Sequence, residues 1–284
     1  MKIIAYHTVK EITAALEQER HHGKSIGFVP TMGALHSGHQ SLLEQAAREN
    51  QIVVCSIFVN PTQFNNASDL ANYPRMIEQD LMVLEKSGCH YAFVPSVEEM
   101  YPQGQQTLDI HFGNLALTME GAFRPGHFNG MATIVDRLFN IVQPDRAYFG
   151  EKDFQQLAIV RVMAKMLNHK VQIVGCPTLR EHDGLAMSSR NLLLNEKQRS
   201  AAPMIYQAML QAKEFIPHHS PAAICDLVIR YIQQSPLFHV QYFEIVDPET
   251  LEPITQWEPG KKAQGCIAVL TEGPRLIDNI EYLS

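Results

Sequence analysis

His36 and His39 stand three residues apart in Thr31-Met32-Gly33-Ala34-Leu35-His36-Ser37-Gly38-His39, between an apolar run and an amphipathic stretch. Two imidazoles at a helix N-terminus can both donate hydrogen bonds where backbone N–H groups and the helix dipole already favour an anion, so the pattern suits a polyphosphate. The dipole alone contributes only about 0.3–1 kcal/mol at an exposed site. Donors that strengthen toward a transition state contribute more, about 3–4 kcal/mol each. Gly33 and Gly38 have P-loop spacing, but His39-Gln40 stands where Lys-Ser/Thr would hold phosphate and magnesium, and there is no G-x-G-x-x-G. Taken alone, the pair fits two solvated or capping histidines equally well. Half of a metal site fits less well, because no third ligand stands at zinc spacing.

Three further polar segments carry groups of matching chemistry: Asn60-Pro61-Thr62-Gln63-Phe64, Gly150-Glu151-Lys152-Asp153 leading into Gln155-Gln156, and Ser188-Ser189-Arg190-Asn191. A lone Lys152 reads as a surface lysine, but opposite the histidine turn it becomes a phosphate clamp. The Ser188–Asn191 segment offers hydroxyls, a guanidinium and an amide, or is an ordinary turn. Gln63 and Gln156 are neutral donor–acceptors suited to orienting a hydroxy acid.

These segments need a scaffold, and the apolar pattern provides one. Short runs at 26–30, 52–59, 91–94, 145–149 and 171–174 alternate with helical patterns at 39–49, 76–87 and 153–167. That alternation predicts βαβ units: a Rossmann-like, doubly wound parallel sheet of the α/β class with helices on both faces. The first twenty residues read as a strand followed by an amphipathic helix. The polar turns at 31–39, 60–64 and 150–153 then fall at carboxyl ends of strands, where open α/β sheets bind ligands. Leu138, Phe139 and Val142 read as core. The glycine-rich stretch 98–130 is long enough to be a functional loop or flap. Asp80, on the 76–87 helix, reads as a surface acid or as a support for the site.

Beyond about residue 177 the pattern changes. Asn195 with Gln198 predicts a capped helix running toward Ile216, and Ser220-Pro221 a second one to about Gln234. Strand-like runs follow at 240–246, 265–271 and 275–278. The 284 residues, against roughly 150 per domain, therefore divide into a larger domain over 1–176 and a smaller α+β lid domain over 177–284.

Hydrophobic residues at 45%, charged residues at 19% and a net charge of −7 describe a globular chain and disfavour a nucleic-acid partner. The longest apolar stretch falls far short of the ~20 residues that span a bilayer, so no membrane role is expected. Five scattered cysteines fit a reduced compartment and read mostly as small buried hydrophobes, which makes a soluble cytoplasmic protein the expectation.

Taken together, PTMGALHSGH (30–39), SIFVNPTQF (56–64), YPR (73–75), RPGHF (124–128), GEKDFQQL (150–157), SSRN (188–191) and RLIDN (275–279) resemble the pantothenate synthetase (pantoate–β-alanine ligase) family of H-x-G-H nucleotidyltransferases. The likeness runs in order over essentially the whole chain, with one departure: Asn129 follows Phe128 where many members have a basic residue.

The resemblance implies a two-step ligation with ATP and Mg²⁺. The carboxylate of (R)-pantoate is adenylated with loss of pyrophosphate, and the amine of β-alanine then displaces AMP. It maps the ATP site onto Met32, Gly33, Ala34, Leu35, His36, Ser37, Gly38 and His39, onto Gly150, Glu151, Lys152 and Asp153, and onto Leu179, Met187, Ser188, Ser189 and Arg190. Gln63 maps to pantoate and β-alanine, and Gln156 to pantoate. His39, His36, Lys152 and Arg190 carry the chemistry, with His39 matching the family's proposed proton donor. No metal ligand from the protein is implied, Mg²⁺ entering on the phosphates, and the family form is a cytoplasmic homodimer. The rival expectations are an adenylyltransferase acting on a phosphorylated substrate, a non-catalytic nucleotide sensor and a tRNA-charging enzyme.

Overall fold

Parallel strands covered by helices on both faces are apolar along their whole length, and the chain shows this most fully at Ile52–Ile57, where all six residues are buried. The computed structural model describes residues 2–65 and 67–283. Strands β1 (Ile4–Tyr6), β2 (Ile26–Thr31), β3 (Ile52–Ile57), β4 (Tyr91–Phe93), β5 (Arg146–Gly150) and β6 (Gln172–Cys176) form one sheet in the order β1-β4-β3-β2-β5-β6. Every pairing is parallel. From β2 the chain builds outward through β3 toward one edge, then returns to place β5 on the other side of β2. The sheet therefore has a topological switch point between β2 and β5.

Side chains alternate between the two covered faces. Val29 packs with Leu42, Leu43 and Ala46 of the Ser37–Glu49 helix and with Leu84 of the Ile77–Lys86 helix. Its neighbour Phe28 meets Phe139 of the His127–Val142 helix edge to face, 6.4 Å between ring centroids. Leu138, Phe139 and Val142 are buried, as the periodicity requires.

A second, antiparallel sheet consists of β7 (His239–Val246), β8 (Ala263–Leu270) and β9 (Leu276–Leu283) in that order. The helices Met204–Ala212 and Pro221–Ile232 share a core with it, built from Ile205, Met209, Ile224, Val228, Phe243, Ile267 and Ile280 among others. The helix expected to run from Asn195 to Ile216 is broken: Glu196–Ala201 ends before Pro203, and beyond Ala212 the chain tightens into a 3₁₀ segment over Lys213–His218. Pro203 and Pro217 each lack the N–H that a continuous helix needs.

The chain forms two compact units: Met1–Phe112, Arg124–Glu151 and Gln156–Pro177, and Gly113–Phe123, Lys152–Gln155 and Thr178–Ser284. A single cut after residue 176 would leave Gly113–Phe123 and Lys152–Gln155 with the larger sheet, and specific bonds explain why they group with the smaller one. The buried Gln155 amide donates to the carbonyls of Leu115 (2.7 Å) and Thr118 (2.9 Å) and accepts from the Glu120 N–H (3.0 Å). Glu120 in turn takes a bidentate pair from Arg275 (2.7 and 2.6 Å) and the hydroxyl of Tyr242 (2.8 Å). The glycine-rich stretch 98–130 is thus structured in part, with short helical turns at Val97–Met100, Gly113–Ala116 and Glu120–Phe123.

Cys55, Cys89, Cys176 and Cys266 are buried and unbridged, and Cys225 is half-buried. Burial pushes the Cys89 and Cys176 thiols up to about 12 and the Cys225 thiol up to about 11. They remain protonated at neutral pH, as inert core thiols do.

Candidate active site

The histidine turn leaves β2 through Thr31, whose hydroxyl donates to the Ser56 carbonyl of neighbouring β3 (2.7 Å) and accepts from the Gly33 N–H (3.2 Å). Gly33 has φ +83°, and a Cβ there would lie 2.9 Å from Asp80 Oδ2 and 3.0 Å from the Ile57 side chain. Glycine is required on both counts. Asp80 is not a surface acid. It is 2% exposed, and its two oxygens accept the N–H groups of Ala34 (3.0 Å) and Leu35 (2.7 Å). Burial raises its pKa while the two N–H donors oppose that shift. The anion thus holds the strained turn, with Ala34 itself at φ +50°, at the mouth of the next helix.

That helix, Ser37–Glu49, is capped by its own histidines. His36 Nδ1 accepts the Gly38 N–H (3.1 Å), and His39 Nδ1 accepts the His36 N–H (3.3 Å) in a reciprocal capping box. A neutral imidazole whose Nδ1 accepts carries its proton on Nε2. The capping role and the donor role are therefore one arrangement, with capping fixing each ring as an Nε2–H donor. The two rings are half-buried, 4.1 Å apart between centroids and tilted by 45°.

Gln63 follows β3 and is buried by a network built on Asn60. Asn60 Oδ1 accepts the Tyr101 hydroxyl (2.7 Å) and the Thr62 hydroxyl (3.1 Å), and Asn60 Nδ2 donates to the Gly130 carbonyl (3.1 Å) and to Gln63 Oε1 (3.3 Å). The Gln63 carbonyl is held by Arg124 (3.2 Å) and His127 Nδ1 (2.7 Å) of the RPGHF segment, and its amide nitrogen donates to Met32 Sδ in the histidine turn. Gly130 lets the two backbones meet, since a Cβ there would fall 2.1 Å from the Thr62 carbonyl oxygen.

Gly150 ends β5, and nothing lies within 4 Å of where its Cβ would stand, which leaves the backbone open to a ligand. The turns after β3, β2 and β5 leave three neighbouring parallel strands at one edge, beside the switch point. Gln156 is half-buried in the first turn of the Phe154–Met166 helix.

The smaller unit carries Lys152, Asp153, Leu179 and Met187–Arg190, and Glu151 belongs to the larger one. Lys152 Nζ lies 3.5 Å from the Asp153 carboxylate. Leu179 and Met187 are brought side by side, the Met187 N–H donating to the Leu179 carbonyl (3.0 Å) across a hairpin closed by Gly184 at φ +95°. Ser188 Oγ caps the following 3₁₀ turn by accepting the Arg190 N–H (3.3 Å). Arg180 anchors the hairpin. It makes a bidentate pair with Asp278 (2.7 and 3.0 Å), donates to the Gly184 (3.1 Å) and Asn279 (3.1 Å) carbonyls, and lies 3.5 Å over the Tyr206 ring. Burial raises the pKa of Asp278, opposed by the Arg180 guanidinium.

Asn60, Arg180, Glu120, Arg275 and Asn279 are buried or bonded by distant partners and carry no individual role in the sequence pattern. For the last, a local signal exists: Asp278-Asn279 sits between Ile277 and Ile280, where buried polar groups must find partners.

The model of the family described as pantoate-beta-alanine ligase matches residues 4–281. The chain belongs to the pantoate-beta-alanine ligase family. It is 50% identical over 282 residues to a pantothenate synthetase of Bacteroides thetaiotaomicron, covering 99% of each chain. The crystal structure of pantothenate synthetase from Thermus thermophilus superposes with a TM-score of 0.92 at 46% identity, covering 99% of this chain and 100% of that one. A pantoate-beta-alanine ligase from Francisella tularensis, crystallised with β-γ ATP and β-alanine, gives a TM-score of 0.83 at 33% identity over 99% and 98% of the two chains. Family membership and fold agree with the expectation drawn from the motifs.

Proposed function

We propose that this chain ligates (R)-pantoate and β-alanine to pantothenate at the expense of ATP, through a pantoyl adenylate. A pantoate carboxylate oxygen attacks the α-phosphorus and pyrophosphate departs. The β-alanine amine then attacks the acyl carbon, loses a proton, and AMP leaves. The observation that carries the reading is the histidine pair, fixed as Nε2–H donors at a helix N-terminus beside the sheet's switch point, in a chain of this family.

In this reading Met32–His39 and Gly150–Asp153 take the triphosphate, and Leu179 with Met187–Arg190 takes the nucleotide. His36, His39, Lys152 and Arg190 meet the charge that develops on the α-phosphate and the departing pyrophosphate. Gln63 and Gln156 orient pantoate, and Gln63 also serves β-alanine. The buried Asn60 network supports this by holding Gln63 in one geometry.

Among the described residues no group of three His, Cys, Asp or Glu side chains is placed to hold a metal. Mg²⁺ takes oxygen ligands and keeps several waters, so the triphosphate is its natural carrier. In the Lys152 turn the Asp153 carboxylate, 46% exposed, would be an oxygen donor for it; both Asp80 oxygens are taken by N–H groups. Bound there, the ion would neutralise phosphate charge. The working form is a cytoplasmic homodimer with small-molecule substrates and no nucleic-acid partner. Among the described residues no helix is long and apolar enough to cross a membrane.

Isotope exchange tests the adenylate step. With ATP, Mg²⁺ and labelled pyrophosphate, label is expected to enter ATP when pantoate is added and β-alanine is withheld. An adenylyltransferase for a phosphorylated substrate shows no pantoate dependence, and exchange that requires β-alanine would rule out a free-standing first step.

A further inference from the structure

Asn279 on β9 is 6% exposed and uses all of its backbone and side-chain polar groups. Its amide nitrogen donates to the Lys152 carbonyl (2.9 Å), and its amide oxygen accepts from Gln264 Nε2 of β8 (2.7 Å), which fixes the orientation of the amide. Its backbone N–H donates to Asp278 Oδ1 (2.7 Å), and its carbonyl accepts from Arg180 (3.1 Å). The turn that carries Lys152 and the arginine that anchors the Leu179–Met187 hairpin thus meet on one residue. The far end of the Lys152–Gln155 segment is tied to the same edge of chain, since Gln155 accepts the Glu120 N–H and Glu120 is clamped by Arg275, just before β9.

We propose that Asn279 is a positioning residue for Lys152: its side-chain amide sets the Lys152 carbonyl, and with it the place from which the ammonium group meets the ATP phosphates. This rests on the proposed role of Lys152 in the ligation. A buried amide with both ends engaged is also what simple stabilisation of a sheet requires, so the test must separate the two. The backbone bonds of Asn279 survive substitution, so Asn279→Ala removes the side-chain contacts to Lys152 and Gln264 and leaves Arg180 and Asp278 paired.

The experiment measures AMP release and thermal unfolding for the full chain, Asn279→Ala, Lys152→Ala and the double variant. Misplacing a reacting-centre contact by about 1 Å costs on the order of 100-fold. Asn279→Ala is therefore expected to lower kcat by about that factor, with the KM for pantoate changed less than about twofold because pantoate is held elsewhere. The decisive result is non-additivity: in the Lys152→Ala background the same substitution should change kcat little, although the melting temperature falls in both. An equal fall in kcat with and without Lys152 would assign Asn279 to stability alone and overturn the proposal.

If Asn279→Ala does not unfold cooperatively, Gln264→Leu carries the test, because it frees the Asn279 amide to rotate while leaving it in place. It is expected to lower kcat only when Lys152 is present; a fall independent of Lys152 overturns the proposal. A parent chain that forms no pantoate-dependent AMP overturns the ligase reading and this one together. A parent chain that does, with Asn279→Ala at full turnover, overturns only the role of Asn279.

Discussion

Alanine at His39 is expected to lower kcat by about 10²–10³-fold, the range seen when one preorganised donor to a developing oxyanion is removed. The same substitution should cost only about 1 kcal/mol of folding stability, the usual worth of a helix cap. In the proposed reading His39 plays both parts, since its Nδ1 accepts the His36 N–H at 3.3 Å and its Nε2 then carries the proton. The two contributions differ in size and fall on different measurements. Loss of the cap appears as a small fall in melting temperature, and loss of the donor as a large fall in turnover. His39→Asn sharpens the contrast, because an Asn oxygen near the Nδ1 position can still accept the N–H without offering a donor at Nε2. The expectation is near-normal stability with kcat still down by at least about 10²-fold. Full turnover in His39→Ala, with the fold intact, would remove the histidine pair from the mechanism.

Lys152→Ala is expected to lower kcat by a comparable factor, about 10²–10³-fold, because an ammonium facing the phosphates is worth most as negative charge moves onto the leaving pyrophosphate. The effect on stability should be small. The ion pair Lys152 forms is with Asp153 at 3.5 Å, and that carboxylate is 46% exposed, so water replaces the lost partner at little cost. Lys152→Arg keeps the charge but exchanges a compact ammonium for a planar fork. Partial recovery, well short of the parent rate, is expected. Steady-state kinetics beside calorimetric unfolding would check both variants. A Lys152→Ala enzyme with unchanged kcat and a raised KM for ATP would mean the lysine binds ground state and transition state alike.

The scaffold was legible in the sequence because apolar period and turn chemistry are local properties. The run Ile52–Val59 announces a strand, although pairing stops at Ile57 and the chain turns into Asn60-Pro61. The helix start at the histidine turn was legible for the same local reason, and the structure adds that both imidazoles cap it through Nδ1. Asp80 shows where local reading ends. An acid on an amphipathic helix looks solvated, and only the fold brings the strained Gly33–Leu35 turn, 45 to 47 residues away in sequence, onto it. Gln155 and Gln156 make the same point, since adjacent identical residues cannot be told apart by spacing. The structure commits Gln155 to the Leu115, Thr118 and Glu120 backbone, and Gln156 lies in the other unit. Asn60 and Asn279 belong to the same class, as amides that bind chain segments 41 and 127 residues distant, Tyr101 and Lys152.

The most direct test of the proposed chemistry asks which nucleotide is made. Purified protein is incubated with ATP and Mg²⁺, with pantoate and β-alanine supplied singly and together, and the products are separated by chromatography. Multiple-turnover AMP and pyrophosphate are expected in the complete mixture and in neither single-substrate mixture. ADP and phosphate in the complete mixture would place cleavage at the other end of the triphosphate and contradict the account.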